Sequence, residues 1–563
     1  MKKILSIIGV VALFPVGMIA QTQVTDTTLN RTVVVEQEYN PDIRDAVKVN
    51  VLPEVETPVV VKEAVEYDHT LLPATEIPAT AIPVYSRREI PDKAPRGYAR
   101  LGYGNYGNLD VAGGYLFALS RTDIIGVDLY LKGMNGKLDN IYQTGKWRSR
   151  YYRTHAGVNY THGFDAADLD IAAHFDLHNF NYHPQVIRDR QKFTAGDFHI
   201  GIHSTDRTAS LQYHLAGYYK LFGRKHFFTY DDVSENYLNL QAGALGRISE
   251  EQHIAVDFTL DNLTYSQKEI QSQTIIHANP YYLYDNDDWR IKLGARVDYT
   301  FGFDKGINAA PDISLQYTFA DSYVLYAQAT GGMILNDFRR LAELQPYSNT
   351  WMPISSSLHN SYERLNAAVG FKASPAVGLW FNLYGGYQNM KNDLGTTVVV
   401  AQASQYYPAG FFDLIPLNVT TYNYYVGAEL RYDYKEQFTA TASGVYRHWD
   451  AKEIVNYEGF DYLGLLAFKP AFEGNLRLDY RPIQPLKLHV GMHYIARPSV
   501  QAVESLRYKK APVNNLYIGV DYNVFDAVTI YAQLNNLLNK KYEQDWYYAA
   551  ERFNFVGGLR FRF

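Results

Sequence analysis

The chain has 563 residues, no cysteine and a formal net charge of −6, and 15% of its residues are aromatic. Without cysteine, a disulfide scaffold, a thiolate metal site and a cysteine nucleophile are excluded. The small negative charge offers no large basic field, so we expect no nucleic-acid partner. The 49 tyrosines favour strands and the membrane–water boundary, where the ring is apolar and the hydroxyl is wet.

Residues 1–20 are typical of a secretory signal peptide. Lys2 and Lys3 precede an apolar stretch of 17 residues that ends at Ala20. Cleavage after Ala20 is expected, although Met18 is larger than the usual residue at that position. The alternative is a retained membrane anchor, for which this stretch is short.

Residues 21–96 differ in composition from the rest of the chain. They contain eight prolines, 13 acidic and 8 basic residues, and no Gly, Phe or Trp. Tight turns need glycine and a core needs large apolar side chains, so a globular domain is not expected here. The composition predicts an extended, Pro-rich periplasmic tail with short strand-like pieces such as Thr32-Val33-Val34-Val35.

Residues 97–563 alternate between apolar and polar side chains, which is the period of a β-strand. The clearest example ends the chain. One face carries Phe553, Phe555, Gly557, Leu559, Phe561 and Phe563, and the other carries Arg552, Asn554, Gly558, Arg560 and Arg562. The same alternation recurs at 168–178, 486–494 and 516–522.

Short turns and long connections also alternate along this region, as in outer-membrane barrels. The short turns lie at 120–122, 165–167, 205–207, 247–252, 285–288, 320–322, 374–376, 435–437, 482–484 and 525–526. The long polar connections include 335–360, 387–420, 450–467 and 538–550. Ten short turns join 11 hairpins, so the predicted fold is all-β: a large transmembrane antiparallel β-barrel of about 22 strands over residues 97–563, preceded by the extended tail.

A soluble β-sandwich or propeller is the alternative fold. It would bury the charged face at a cost of several kcal/mol for each unpaired charge. A water-filled barrel in lipid satisfies both faces and leaves no sheet edge exposed.

The stretch from Leu534 to Tyr542, LNNLLNKKY, resembles a sequence near the end of TonB-dependent outer-membrane receptors. The closing strand, with Phe555, Phe561 and the terminal Phe563, resembles the carboxy-terminal signal strand of outer-membrane barrels. The resemblance implies an outer-membrane protein that takes up a scarce nutrient. It also implies membrane lipid, the barrel assembly machinery and TonB or other envelope proteins as partners, with no cofactor.

The amino-terminal region departs from that family. Its receptors carry a plug domain preceded by a TonB box, whereas residues 21–96 number only 76 and lack the plug's glycines. Thr32-Val33-Val34-Val35 is similar to a TonB box, but a β-branched run of this length also suits an edge or pairing strand. The predicted barrel is therefore one without a full plug. Its lumen could hold the tail, be closed by another protein, or stay narrow or open.

Histidines are the strongest candidates for chemistry in the lumen. Strand parity places His155, His174, His199 and His214 on the inward face of four consecutive strands, at similar distances from their short turns. Imidazoles near carboxylates can bind a transition metal or titrate near neutral pH. The alternatives are a luminal metal or pH-sensitive site and an ordinary polar lumen.

Other motifs favour structural interpretations. Gly102 to Gly107 fits G-x-G-x-x-G, but the strand-like sequence that follows favours a hairpin loop over a dinucleotide site. The acidic turn at 285–288 lacks EF-hand spacing, so a solvated turn is favoured over a calcium site. Neither G-x-S-x-G nor H-E-x-x-H occurs, and we expect no enzymatic activity.

Long loops carry aromatic residues, including Trp351, Tyr406, Tyr407, Phe411, Phe412, Trp546, Tyr547 and Tyr548. They suit either an interfacial girdle or contacts with a sugar or a protein. Two functions remain: a receptor or transporter that admits a nutrient solute, or a barrel that scaffolds a larger outer-membrane complex through its tail and loops.

Overall fold

The computed structural model describes residues 95–141, 144–184, 190–225, 232–320, 322–348, 359–401, 411–454, 466–498, 500–503, 506–508 and 510–563. The predicted signal peptide at 1–20, the tail up to Ala94 and Thr32-Val33-Val34-Val35 lie outside these residues, as do Trp351, Tyr406 and Tyr407. The predictions made for them stay predictions.

Strands dominate the described residues. They are β1 (Gly97–Gly104), β2 (Leu109–Ala118), β3 (Asp123–Asp139), β4 (Lys146–Gly163), β5 (Ala167–Asn181), β6 (Arg190–Ser204), β7 (Leu211–Arg224), β8 (Val233–Arg247), β9 (Gln252–Tyr265), β10 (Gln273–Asp285), β11 (Trp289–Gly302), β12 (Gly306–Phe319), β13 (Tyr323–Ile334), β14 (Ser361–Ala376), β15 (Leu379–Ala401), β16 (Phe411–Tyr434), β17 (Phe438–Ile454), β18 (Phe472–Ile483), β19 (Leu486–Ala496), β20 (Val500–Val503), β21 (Leu506–Tyr508), β22 (Val513–Phe525), β23 (Val528–Asn535), β24 (Glu543–Asp545), β25 (Tyr548–Ala549) and β26 (Asn554–Arg562). The described residues also include one α-helix, α1 (Phe338–Leu344), between β13 and β14. No helix among the described residues is long and apolar enough to cross a membrane.

Twenty-two of these strands form one closed antiparallel barrel, as predicted. Each of β1 to β18 pairs with the next, and the circle continues from β19 through β22, β23 and β26 back to β1. Gly97 and Phe563 exchange two backbone hydrogen bonds, of 2.7 and 3.0 Å, where the first and last strands meet. The terminal Phe563 therefore belongs to the seam that closes the barrel.

Side chains on the barrel wall separate by polarity. Outward positions carry exposed apolar residues, such as Phe555 (46% exposed), Ile518 (36%) and Leu559 (40%). Inward positions carry polar groups: Tyr531 donates to Asp110 over 3.0 Å, and Asp110 pairs with Arg100 at 2.9 Å. Apolar side chains facing lipid around a polar interior is the arrangement of membrane barrels.

All ten predicted short turns join neighbouring barrel strands, so one end of the barrel is the short-turn end and the other is the long-loop end. The turn expected at 374–376 falls slightly later, between Ala376 and Leu379. The connection expected at 387–420 was largely wrong. Strands β15 and β16 continue pairing there from Asp393–Val419 to Ala401–Phe411, because β-branched residues such as Val398 to Val400 favour extended pairing over a loop.

The two weak motifs are turns. Gly104 ends β1, a short 3-10 turn covers Asn105–Gly107, and β2 follows directly, which confirms a hairpin loop. At the acidic turn, the Asn286 side chain accepts hydrogen bonds from the backbone N–H groups of Asp288 (3.2 Å) and Trp289 (2.7 Å). This is a self-satisfied turn of the Asx type.

Candidate functional site: the long-loop end of the lumen

Helix α1 lies against the inner wall of the barrel. It begins after Asp337, whose side chain accepts a hydrogen bond from the Arg340 N–H over 2.9 Å and so caps the first turn. Phe338 and Leu341, three residues apart on one helix face, are both 0% exposed. They join a buried cluster that includes Phe180, Phe193 and Phe222 from the wall.

Polar contacts fix α1 as well as apolar packing. Both carboxylate oxygens of Glu235 accept from the Phe338 N–H, at 3.0 and 3.1 Å. Arg339 donates to Asp197 Oδ2 over 3.0 Å and to the Gly196 carbonyl over 2.6 Å. The Arg339 bonds are charge-assisted and therefore stronger than neutral ones, so α1 is held firmly in place inside the lumen.

Asp197 also belongs to a ladder of histidines and carboxylates on the inner wall. His174 Nδ1 lies 2.7 Å from Asp197 Oδ1. On the adjoining strands, His155 lies between Asp176 (2.8 Å) and Asp128 (3.1 Å). The two imidazole rings are 5.6 Å apart. We call these five residues the His–Asp ladder, and Arg339 connects it to α1.

The structure brings together only two of the four predicted histidines. The strand registers place His199 two residues further along β6 than Asp197, where its ring stacks on Tyr218 at 4.4 Å. His214 lies closer still to the short turns, opposite His203. The four histidines therefore do not lie at similar heights along the barrel wall, contrary to the expectation, because neighbouring strands are offset in register.

No group of three or more His, Cys, Asp or Glu side chains among the described residues is placed to hold a metal ion. Each histidine of the His–Asp ladder instead has a carboxylate partner, which suits an imidazole that donates a hydrogen bond. The luminal metal site stays a prediction.

A second histidine–carboxylate group was not anticipated from the sequence. His277 lies between Asp261 (2.7 Å) and Asp298 (2.5 Å), and all three side chains are nearly buried. Arg296 reaches Asp298 at 3.0 Å. Alternation places these residues inward, but nothing in the sequence signals that β9, β10 and β11 bring them into contact.

Loops from several connections pack together at the long-loop end. Tyr347, just after α1, stacks on Tyr548 with ring centroids 3.5 Å apart. The Tyr548 hydroxyl accepts from the His183 N–H over 3.0 Å, and its ring meets Trp147 of the inner wall. Tyr548 is 3% exposed, so its interpretation as a girdle or ligand-stacking residue was wrong: it is a packing residue between loops.

A buried ion pair joins two more loops to this assembly. Lys510 pairs with Glu543, and its ammonium group lies 3.6 Å from the centre of the Trp546 ring and 4.2 Å from that of Phe468. Arg497 donates to the Glu543 carbonyl over 2.8 Å. We call His183, Tyr347, Phe468, Arg497, Lys510, Glu543, Trp546 and Tyr548 the loop cap.

Burial changes the titration of charged groups in the loop cap. Burial is the largest influence on Lys510 and lowers its pKa to about 8, against the opposing effect of Glu543. Burial raises the pKa of the neighbouring Asp545 to about 7. The sequence marked Trp546 to Tyr548 as notable, but the polar partners come from distant loops and could not be paired in advance.

Neither a protein-family model nor a curated protein sequence matches this chain. Solved structures do match. The FrpB iron transporter from Neisseria meningitidis aligns with a TM-score of 0.65 at 10% identity, covering 84% of this chain and 81% of that one. The ferric-catecholate import receptor Fiu from E. coli K12 aligns with a TM-score of 0.61 at 8% identity, covering 83% and 82%.

The copper transporter OprC also aligns, with a TM-score of 0.60 at 12% identity over 83% of this chain and 80% of that one. At such identities the similarity concerns the fold. It confirms the expected resemblance at that level: the described strands between Gly97 and Arg562 form a closed 22-strand barrel of the kind found in TonB-dependent receptors.

Proposed function

We propose that this protein is an outer-membrane receptor barrel that admits a small polar nutrient solute through its lumen. The observation that carries the proposal is α1, which lies inside a polar lumen and is fixed to the inner wall by Arg339 and Glu235. The connection between β13 and β14, which contains α1, narrows the water-filled lumen and so limits which solutes pass through it. An outer-membrane protein must first be exported, so the proposal includes a signal peptide that is removed on export and a tail in the periplasm.

The chemistry of the solute follows from the wall beside α1. The His–Asp ladder offers imidazole N–H donors and carboxylate acceptors, and Arg339 adds a guanidinium. Such a surface suits a hydroxylated or cationic solute better than an apolar one. The iron and copper transporters with the same fold are consistent with nutrient uptake. Coupling to TonB through Thr32-Val33-Val34-Val35 is part of the proposal.

A scaffolding role is the second candidate. At the short-turn end, Phe525 (69% exposed) and Ile483 (55%) flank a depression that also contains Arg481 and Lys435. Exposed apolar residues outside the lipid-facing wall are typical of protein contacts. A periplasmic protein bound there would make the barrel part of a larger complex.

Liposome swelling tests the first candidate. The full-length protein is reconstituted and challenged with sugars of increasing size, beside the Arg339→Ala variant and protein-free liposomes. We expect size-limited flux that increases in Arg339→Ala. Flux no greater than that of empty liposomes for both proteins would reject solute passage. In that case, co-purification of an envelope protein that is lost in Phe525→Ser would support the scaffold.

A further inference from the structure

Two basic side chains lie on the inner wall next to the His–Asp ladder. Arg153 of β4 and His178 of β5 are register partners. Each lies two residues closer to the long-loop end than a ladder residue, Arg153 beyond His155 and His178 beyond Asp176. Residues two apart on a strand share a face, so both side chains point into the lumen as the ladder does. We call Arg153 and His178 the basic pair.

The guanidinium of Arg153 has no carboxylate partner. Its Cζ lies 5.3 Å from the centre of the Tyr151 ring, and its buried Nε makes no hydrogen bond. Within the described part of the chain, neither the Arg153 guanidinium nor the His178 imidazole forms an ion pair or a hydrogen bond. A partly buried cation without a counterion is unfavourable, so the basic pair favours an anion beside it.

The carboxylates near Arg153 do not neutralise it. Each of the three ladder carboxylates lies within 3.1 Å of an imidazole, and Asp197 also accepts from Arg339. Glu343 of α1 is within electrostatic range of Arg153, yet no ion pair joins these two described residues. Lys132, the register partner of Arg153 on β3, adds positive charge and has an interaction of its own. Arg153 is therefore available to an anion that enters the lumen.

The spacing between the basic pair and the ladder suits a single small molecule. Two residues along a strand span about 7 Å, which is roughly the span of one sugar ring. Arginine donates two parallel hydrogen bonds to a carboxylate. The imidazoles and aspartates of the ladder donate to and accept from hydroxyl groups. A molecule with a carboxylate at one end and hydroxyls at the other therefore matches both groups at once.

We propose that the basic pair binds the acidic group of the solute and that the solute is a hydroxylated carboxylate, such as a sugar acid. Arg153 and the His178 N–H hold the carboxylate, and the His–Asp ladder holds the hydroxyls. One guanidinium matches the single charge of a carboxylate, whereas the like charge of Arg153 repels a cationic solute. The inference rests on the proposed function and narrows its solute to an acidic, hydroxylated one.

Binding of D-glucuronate and D-glucose to the full-length protein tests the subsite, because these sugars share a ring and differ by one carboxylate. Ligand-observed NMR in a neutral detergent measures both affinities. We expect the unaltered protein to prefer glucuronate. In Arg153→Gln the affinity for glucuronate should fall about tenfold, because charge-assisted hydrogen bonds are lost, and the affinity for glucose should stay unchanged.

The control variant is Lys372→Gln on β14, on the opposite side of the barrel. The Lys372 ammonium lies 4.8 Å from the centre of the Tyr326 ring on the inner wall, so this substitution also removes one positive charge from the lumen. We expect it to keep the preference for glucuronate. An equal loss of glucuronate affinity in both variants would overturn the proposal, because it would assign the preference to the overall charge of the lumen.

Two further results would overturn the proposal. One is equal affinity of the unaltered protein for the two sugars, a measurement that needs no variant. The other is a parallel loss of both sugars in Arg153→Gln that is folded by its heat-modifiable gel mobility. Liposome flux is measured separately: passage of sugars without a glucuronate preference in binding would reject the subsite alone, and glucuronate binding without passage would reject the proposed function alone.

Discussion

Arg339 of α1 and Asp197 of β6 are joined by a 3.0 Å ion pair across 142 residues of sequence, with both side chains largely buried. Asp197 is at the same time the partner of His174. One carboxylate therefore connects the helix inside the lumen with the polar wall around it. We expect movement of α1 to disturb the hydrogen bonds of the wall at this residue.

Removing the arginine should release α1. The Arg339→Ala variant loses charge-assisted hydrogen bonds worth about 2 kcal/mol, which corresponds to roughly a 30-fold increase in the released form. The chain has no cysteine, so Ala342→Cys, at a 7% exposed position, reports release through its rate of thiol labelling. We expect faster labelling in Arg339→Ala and an intermediate rate in Arg339→Lys. Equal rates in all three backgrounds would show that Arg339 does not hold the helix.

Breaking the buried pair in the loop cap should loosen the loops without unfolding the barrel. Lys510→Met leaves the Glu543 carboxylate buried without its ammonium partner, at a cost of about 3 kcal/mol. Chymotrypsin cleavage at Trp546 to Tyr548 measures the loosening, and heat-modifiable gel mobility shows that the barrel remains. The double variant Lys510→Met, Glu543→Gln should recover part of the protection. A double variant cleaved faster than Lys510→Met would contradict a charge-based explanation.

The loop cap should also respond to pH through Asp545. Its pKa in the closed cap is about 7 because of burial, whereas an exposed aspartate titrates near 4. Between these values the closed form holds a proton that the open form releases, so rising pH weakens the cap. We expect the resistance of Asp545→Asn to chymotrypsin, relative to that of the unaltered protein, to grow from pH 4 to pH 7 and then level off.

The resistance of Asp545→Asn to chymotrypsin is divided by that of the unaltered protein because another group titrates in the same pH range. Burial lowers the pKa of His183 to about 4 in the closed cap. Below about pH 6.5, His183 therefore gains a proton when the cap opens, which favours the open form. This effect is common to both proteins and cancels in the ratio. A ratio that stays constant from pH 4 to pH 7 would exclude Asp545 as a buried acid.

The predicted luminal metal site is tested by titration of the purified protein with Zn²⁺. The predicted site involves His155 and His174, the two candidates with neighbouring rings. We expect His155→Ala, His174→Ala to lose binding and His199→Ala, His214→Ala to keep it. Unchanged binding in both double variants would end the metal hypothesis.

Period-2 alternation and turn spacing were sufficient to predict the barrel, its strand number and its sidedness. They succeed because each spanning strand must place one face against lipid and the other in water. Phe555 and Asn554 are adjacent residues on these two faces of β26. Turn spacing gave a wrong prediction at 387–420. A stretch long enough for a loop is there a paired hairpin that extends beyond the barrel rim.

The candidate site was predictable only in part. Alternation placed His155 and His174 inward, yet their contacts depend on register offsets that one sequence does not specify. Helix α1 has only seven residues, too few for a recognisable amphipathic pattern. The partners of Lys510 lie in different loops, and tertiary packing alone brings them together.

A pair of adjacent positions on β9 tests the central claim most directly, namely that a polar conduit runs inside a lipid-facing barrel. Asp257 faces inward near His214 (3.9 Å), whereas Phe258 faces outward and is 49% exposed. Single cysteines at these two positions are treated with a charged, water-soluble methanethiosulfonate in proteoliposomes. We expect Asp257→Cys to react rapidly and sugar flux to fall, with Phe258→Cys slow to react and its flux unchanged. Faster reaction at Phe258→Cys, or labelling of Asp257→Cys that leaves flux unaltered, would contradict it.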